Sequence, residues 1–325
     1  MGPSFGGGVV KNVHGSEIDR LSLASRARRE SGIMLTVFTF PGQGAQRPGM
    51  LGRLPQDAGT RARICEAETI LGQPVRSLDT AEALQDTRNV QLALVVSGVT
   101  WAEYLMRQGV PPDYVLGLSI GAYAAAIIAG SLQFHDAIRL VDLRGRLMQQ
   151  AYPSGYGMMA LTGPQQSEVE KAVHDQRSKG ALVFLANLNS EHQFVLSGER
   201  SALIETARSI RSRIPCSEKM LDVAVPSHCE LLEPQADKLA SAFNDIALGA
   251  PRSKYVSASS ARVLFQPEDI RRDLARNMCL PMRWHESSVM LVERGVEQAI
   301  EMPPGTTLTA LFRRVLPSGV CKSVN

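Results

Sequence analysis

Two hydrophobic rhythms alternate along this chain. Residues 35–40 form an apolar-rich run of strand length, and Pro41-Gly42-Gln43-Gly44 stops it abruptly. Residues 60–71 read as a helix, and a second helix over 90–108 carries Leu94, Val95, Val99, Ala102 and Leu105 on its apolar side. Tyr114-Val115-Leu116 reads as a short strand and Gly117-Leu118-Ser119-Ile120-Gly121 as the turn out of it. An alanine-rich helix follows, then another over 134–150. Strands alternating with helices predict an α/β fold with a largely parallel sheet. From 157 the rhythm changes to strand 158–161, helix 167–177, strands 182–188 and 193–197, helix 201–213 and a closing strand 219–223. That β-α-β-β-α-β order is ferredoxin-like. The expected organisation is an α/β core over 34–156 and 224–325, with a small ferredoxin-like subdomain inserted at 157–223.

Residues 1–33 stand outside this pattern. Gly6-Gly7-Gly8 and Arg26-Ala27-Arg28-Arg29-Glu30 sustain no apolar period. The segment has no long apolar run of a signal peptide, and Glu17, Asp19 and Glu30 suit a transit peptide poorly. It reads as a disordered or misassigned extension, with Met34 opening the functional fold.

Composition narrows the class without naming a chemistry. The 325 residues are 44% hydrophobic and 21% charged, the balance of a soluble globular protein with one large core and room for an insertion. A net charge of +3 gives no argument for nucleic acid or a membrane surface. The most apolar segment, 123–132, is too short to span a bilayer. Five scattered cysteines form no C-x-x-C pair and read as reduced thiols of a cytoplasmic protein. No cluster of residues suits a metal, and no cofactor is expected.

The chemistry is carried by a serine. Gly117-Leu118-Ser119-Ile120-Gly121 matches G-x-S-x-G, and its place between a strand and a helix is what makes it informative. The glycines permit a tight turn that exposes the hydroxyl at the edge of a hydrolase-like core, and the helix start offers free N–H groups to a developing oxyanion. A serine needs a base. His14 lies in the doubtful extension, while His135 and His174 fall in charged helical stretches and are expected to be solvated. His228, His192 and His285 remain as candidates; His228 follows a strand and a turn-fixing proline in Val225-Pro226-Ser227-His228-Cys229. No Asp or Glu has comparable context, so the expectation is a Ser-His dyad with a backbone carbonyl fixing the histidine tautomer.

Several motifs in a fixed order resemble one family, the malonyl-CoA:acyl carrier protein transacylases. They are Phe40-Pro41-Gly42-Gln43-Gly44-Ala45-Gln46, the turn at Ser119, Leu143-Arg144-Gly145-Arg146-Leu147-Met148-Gln149, Ala186-Asn187-Leu188-Asn189-Ser190, and Val225-Pro226-Ser227-His228-Cys229. The resemblance runs from Met34 to about Leu316. It implies that Ser119 is the acylated nucleophile and His228 its base, with the backbone N–H groups of Gln43 and Ile120 forming the oxyanion hole. It implies that Arg144 pairs with the free carboxylate of malonate, which a guanidinium fork suits. Gln91, Asn187 and Asn189 are implied as pocket or supporting residues.

Two positions depart from the family pattern. Leu118 stands where histidine is usual, and Met302-Pro303-Pro304-Gly305 stands where Gly-Pro-Gly is common. With the sequence around Phe38–Met50 and Ser119, they resemble the epsilon subunit of malonate decarboxylase. The resemblance implies ping-pong transfer of malonyl from malonyl-CoA to the prosthetic thiol of an acyl carrier protein, here the decarboxylase carrier subunit, without nucleic acid or membrane. The alternatives are a transacylase of fatty-acid or polyketide synthesis and, from another class, a thioester hydrolase.

Overall fold

The computed structural model describes residues 34–152, 154–223 and 225–324. The expected extension over 1–33 lies outside the described residues.

The chain builds two sheets. In order it forms β1 (Thr36–Phe40), α1 (Ala58–Leu71), α2 (Thr87–Arg107), β2 (Tyr114–Gly117), α3 (Gly121–Ile128) and α4 (Phe134–Ala151). The second group is β3 (Tyr156–Thr162), α5 (Gln166–Arg177), β4 (Val183–Ser190), β5 (Gln193–Glu199), α6 (Arg200–Arg211) and β6 (Ser217–Met220). The last is α7 (Glu233–Ala242), β7 (Lys254–Ser257), β8 (Arg262–Leu264), α8 (Pro267–Arg276), α9 (Trp284–Glu293), β9 (Gln298–Glu301), α10 (Thr307–Val315) and β10 (Val320–Ser323).

The larger sheet has the order β10-β9-β1-β2-β7-β8 and is parallel except where β8 returns beside β7. β1 and β2 sit in its middle and every residue of both is buried, as a parallel sheet covered on both faces requires. Alternate side chains feed opposite cores. Phe38, Phe40 and Val115 join the cluster under α2, α3 and α4, while Val37, Tyr114 and Leu116 join the cluster around α9 and α10. The α/β expectation holds.

The smaller sheet is antiparallel, in the order β4-β5-β3-β6. Its helices α5 and α6 supply Val169, Ala172, Leu203 and Ala207 to a separate core. The observed βαββαβ order and strand arrangement are those of a ferredoxin-like sheet. Its closing strand ends at Met220 rather than Val223. Leu221 still donates to the Met158 carbonyl at 2.9 Å, but Val223 and Val225 then turn inward to pack, and the chain leaves the sheet toward His228. A backbone pairing of Asn187 with Met282, with Leu188 N to Met282 O and Met282 N to Ala186 O each at 2.8 Å, ties β4 to the segment before α9.

Candidate active site

Ser119 stands at the carboxyl end of β2, between the strand and α3, where open parallel sheets place their ligands. Its φ is +54°, a left-handed conformation that a non-glycine residue adopts only when its surroundings impose it. The flanking glycines impose it. A Cβ on Gly117 would collide with the backbone of Gly121, and a Cβ on Gly121 would collide with the Phe40 carbonyl. Gly42 packs as closely, with the Leu118 carbonyl oxygen 2.9 Å from where its Cβ would be. These contacts pin the start of α3 against the loop after β1. Gln43 and Ile120 line the cavity at Ser119, and the backbone N–H of neither donates to a protein group among the described residues.

His228 is buried and has φ +65°. Its backbone N donates to the Met278 carbonyl at 2.7 Å, and its Nδ1 lies 2.8 Å from the Asn277 carbonyl oxygen. A carbonyl only accepts, so Nδ1 carries the proton and Nε2 keeps its lone pair. The expected backbone partner therefore exists, and it is Asn277. Burial, with a further contribution from the Arg144 charge, pushes the imidazole pKa down to about 4, so the ring is neutral at physiological pH. The neighbouring Cys229 is no rival nucleophile: burial raises its thiol to about 11.

Arg144 is 0% exposed. It lies on the inner face of α4 with Ala137, Ile138, Val141 and Met148, a position the helical period assigns to an apolar side chain. No carboxylate among the described residues pairs with it. Nη2 donates to Ser119 Oγ at 3.2 Å and to Asn277 Oδ1 at 3.2 Å, while Nε and Nη1 are buried without a partner. Burial lowers its pKa to about 10, which leaves it charged at neutral pH. A buried cation with unmet donors is unstable unless something else completes it.

Ser119, His228, Arg144, Gln91 and Asn187 line one narrow cavity of about 70 Å³. Gln91 donates from Nε2 to Met148 Sδ at 3.3 Å, and its Oε1, like Asn187 Oδ1, has no partner. Asn189 is not among the lining residues; its Nδ2 faces Gln193 Oε1 at 3.4 Å. His192 and His285 line a different cavity together with Glu191 and Glu286, and His135 and His174 are exposed as expected. Ser119 and His228 share the cavity, but the serine hydroxyl is hydrogen-bonded to Arg144 and not to the histidine. His228 also borders a second cavity of about 860 Å³, lined by residues of α5, by Phe184 and Leu185 and by residues of the segment 279–286.

Residues 37–324 match the acyl transferase domain family. The malonyl CoA-acyl carrier protein transacylase of Salmonella typhimurium is 33% identical over 294 residues, covering 89% of this chain and 95% of the relative. The chain belongs to the malonyl-CoA:acyl carrier protein transacylase family. A solved acyl carrier protein S-malonyltransferase from Vibrio cholerae superposes with a TM-score of 0.84 at 33% identity, over 90% of this chain and 97% of that one. A type II polyketide malonyl-transacylase, solved in complex with its acyl carrier protein, superposes at 0.82 with 34% identity, over 89% and 94%. This transacylase-family chain is therefore an acyltransferase. Asn277 went unnoticed in the sequence, where it is one more polar residue after a helix.

Proposed function

We propose that this protein transfers malonyl from malonyl-CoA, through an ester on Ser119, to the prosthetic thiol of an acyl carrier protein. The observation that carries the reading is Arg144, a fully buried cation beside the serine oxygen with two nitrogens unsatisfied. An acyl group ending in a carboxylate supplies the missing partner, and acetyl does not. Malonyl enters with its carboxylate on Arg144 and its thioester carbonyl toward Gln43 N–H and Ile120 N–H. His228 Nε2 takes the Ser119 proton as Oγ attacks the carbonyl carbon, and the two amides stabilise the oxyanion. The C–S bond then breaks, and the imidazolium returns its proton to the departing CoA thiolate. In the second half-reaction a carrier thiol gives its proton to His228 and attacks the ester, and Ser119 recovers its hydrogen. The second cavity that His228 borders, with a volume of about 860 Å³, offers room for a pantetheine-like arm.

The reading is tested by intact-protein mass after brief exposure to malonyl-CoA or acetyl-CoA. Wild type is expected to gain a malonyl adduct, Ser119→Ala none, and acetyl-CoA little. A Ser119→Ala variant that still acquires the malonyl group would sink the nucleophile assignment. An adduct that vanishes into water without a carrier at the rate of turnover would favour a hydrolase.

The narrower reading is loading of the malonate decarboxylase carrier subunit in the cytoplasm. It is supported by Leu118 before the nucleophile and by Met302-Pro303-Pro304-Gly305. Transfer to a carrier bearing a dephospho-CoA-derived thiol, set against a phosphopantetheinyl carrier, separates it from fatty-acid or polyketide synthesis. Equal or better loading of the phosphopantetheinyl carrier rejects it.

A further inference from the structure

Asn277 sits immediately after α8, is 2% exposed, and reaches three candidate site residues at once. Its main-chain oxygen holds His228 Nδ1 at 2.8 Å. Its side-chain Oδ1 accepts from Arg144 Nη2 at 3.2 Å, and its Nδ2 donates to the main-chain oxygen of Ser119 at 3.3 Å. The chemistry of the partners fixes the amide orientation, because a guanidinium only donates and a carbonyl only accepts. One small side chain thus spans the nucleophile's turn and the cation.

We propose that Asn277 is the positioning residue that sets acyl selectivity, because its amide anchors Arg144 through a neutral acceptor and leaves the cation's charge free for the substrate's carboxylate. This deepens the transfer reading above and rests on it. A carboxylate at 277 would hold the guanidinium as well, but would neutralise it from within and repel an incoming acid group. An aliphatic residue would leave the charge available but unanchored. Only a neutral hydrogen-bond acceptor satisfies both needs. The same side chain clamps the Ser119 carbonyl, so the cation's position is referenced to the nucleophile by a single residue and not by the length of α4.

The test measures acylation rates of the full chain with malonyl-CoA and with acetyl-CoA, read by intact mass, and compares their ratio among variants. Asn277→Asp preserves shape and changes charge. Its malonyl-to-acetyl ratio is expected to fall by about tenfold to a hundredfold, the range of a charge-assisted hydrogen bond. The acetyl rate falls as well, because Asp cannot donate to the Ser119 carbonyl, but by less than the malonyl rate. If Asn277→Asp does not fold, Asn277→Ala reads the same point: losing the Oδ1 anchor slows malonyl more than acetyl, whereas a packing defect slows both alike. An unchanged ratio in the folded variant overturns the proposal. Failure of wild type to form any malonyl adduct would instead reject the transfer reading, so the two failures are distinguishable.

Discussion

Arg144 Nη2 and Ser119 Oγ are joined by a hydrogen bond of 3.2 Å, although they belong to different helix–strand units. The serine oxygen is the acceptor in that bond, so it still has a proton to give. It faces a cation that nothing else among the described residues neutralises. On the proposed reading the nucleophile touches the cation that receives the substrate, and a carboxylate that takes the free Nε and Nη1 offsets the charge felt by Ser119 at Nη2. Binding of the acid group there would weaken the Nη2–Oγ bond and ease rotation of the hydroxyl toward His228, which would link acyl identity to reactivity.

Replacing Arg144 tests that coupling. Arg144→Met keeps volume and removes the charge. The kcat/KM for malonyl-CoA is expected to fall by about a hundredfold or more, since truncating one partner of a buried charge pair costs roughly 2–5 kcal/mol. The acetyl-CoA rate should change far less. Thermal stability should rise in the same variant, because an unpaired buried cation is replaced by an apolar side chain. Steady-state kinetics with both thioesters and a melting curve check the two halves separately.

The pH dependence follows from His228. Its pKa is lowered by burial and by Arg144 to about 4, so neutral imidazole persists well into the acid range. The acid limb of kcat/KM, which reports free enzyme, is expected near that value and not near 6.5. A bound carboxylate offsets the Arg144 charge, so the limb seen in kcat should lie higher. Stability moves with the same group. A folded-state pKa below the unfolded value means the unfolded chain takes up the proton first as pH falls. The contribution is fully present above about 6.5 and is lost as pH drops through about 4. His228→Gln should flatten that part of a stability–pH curve, and an unchanged curve would contradict the assigned shift.

How much of this was legible in the sequence depended on the range over which each signal acts. The turn at Ser119 was readable because Gly117 and Gly121 stand at fixed short offsets, and the steric need for them is local. Arg144 carried a signal too, a charged residue at a position of α4 reserved for apolar side chains. The small sheet was readable because its elements follow one another without interruption from Tyr156 to Met220. Asn277 was not readable. Its contacts reach across 133 residues to Arg144 and 158 to Ser119, and nothing in Arg276-Asn277-Met278-Cys279 announces them. Asn189 differs from Asn187 in its placement. It lies two residues from Asn187, but β4 shifts register between Leu188 and Ser190, so strict alternation no longer places both in the cavity.

Gly121→Ala separates the turn from the hydroxyl. A methyl group at this position meets the Phe40 carbonyl, which is backbone and cannot swing aside. The expected cost is about 1–3 kcal/mol of stability from overpacking. Because the start of α3 must move to relieve it, Ile120 N–H moves too, and acylation should fall by more than the folded fraction explains. Denaturant unfolding paired with adduct formation at saturating malonyl-CoA measures both.

Ser119→Gly addresses strain at the nucleophile. A serine at φ +54° is held in a conformation that costs about 1–3 kcal/mol, and glycine adopts it freely. Glycine also brings a more flexible unfolded chain, which returns part of that gain. The net expectation is a variant up to about 1 kcal/mol more stable than Ser119→Ala, with no acyl adduct in either. Urea melts of the two variants make the comparison, since both lack the Oγ that Arg144 touches and differ only in the Cβ. Equal stabilities would mean that the strain stored at this residue is no larger than the unfolded-chain entropy that glycine adds.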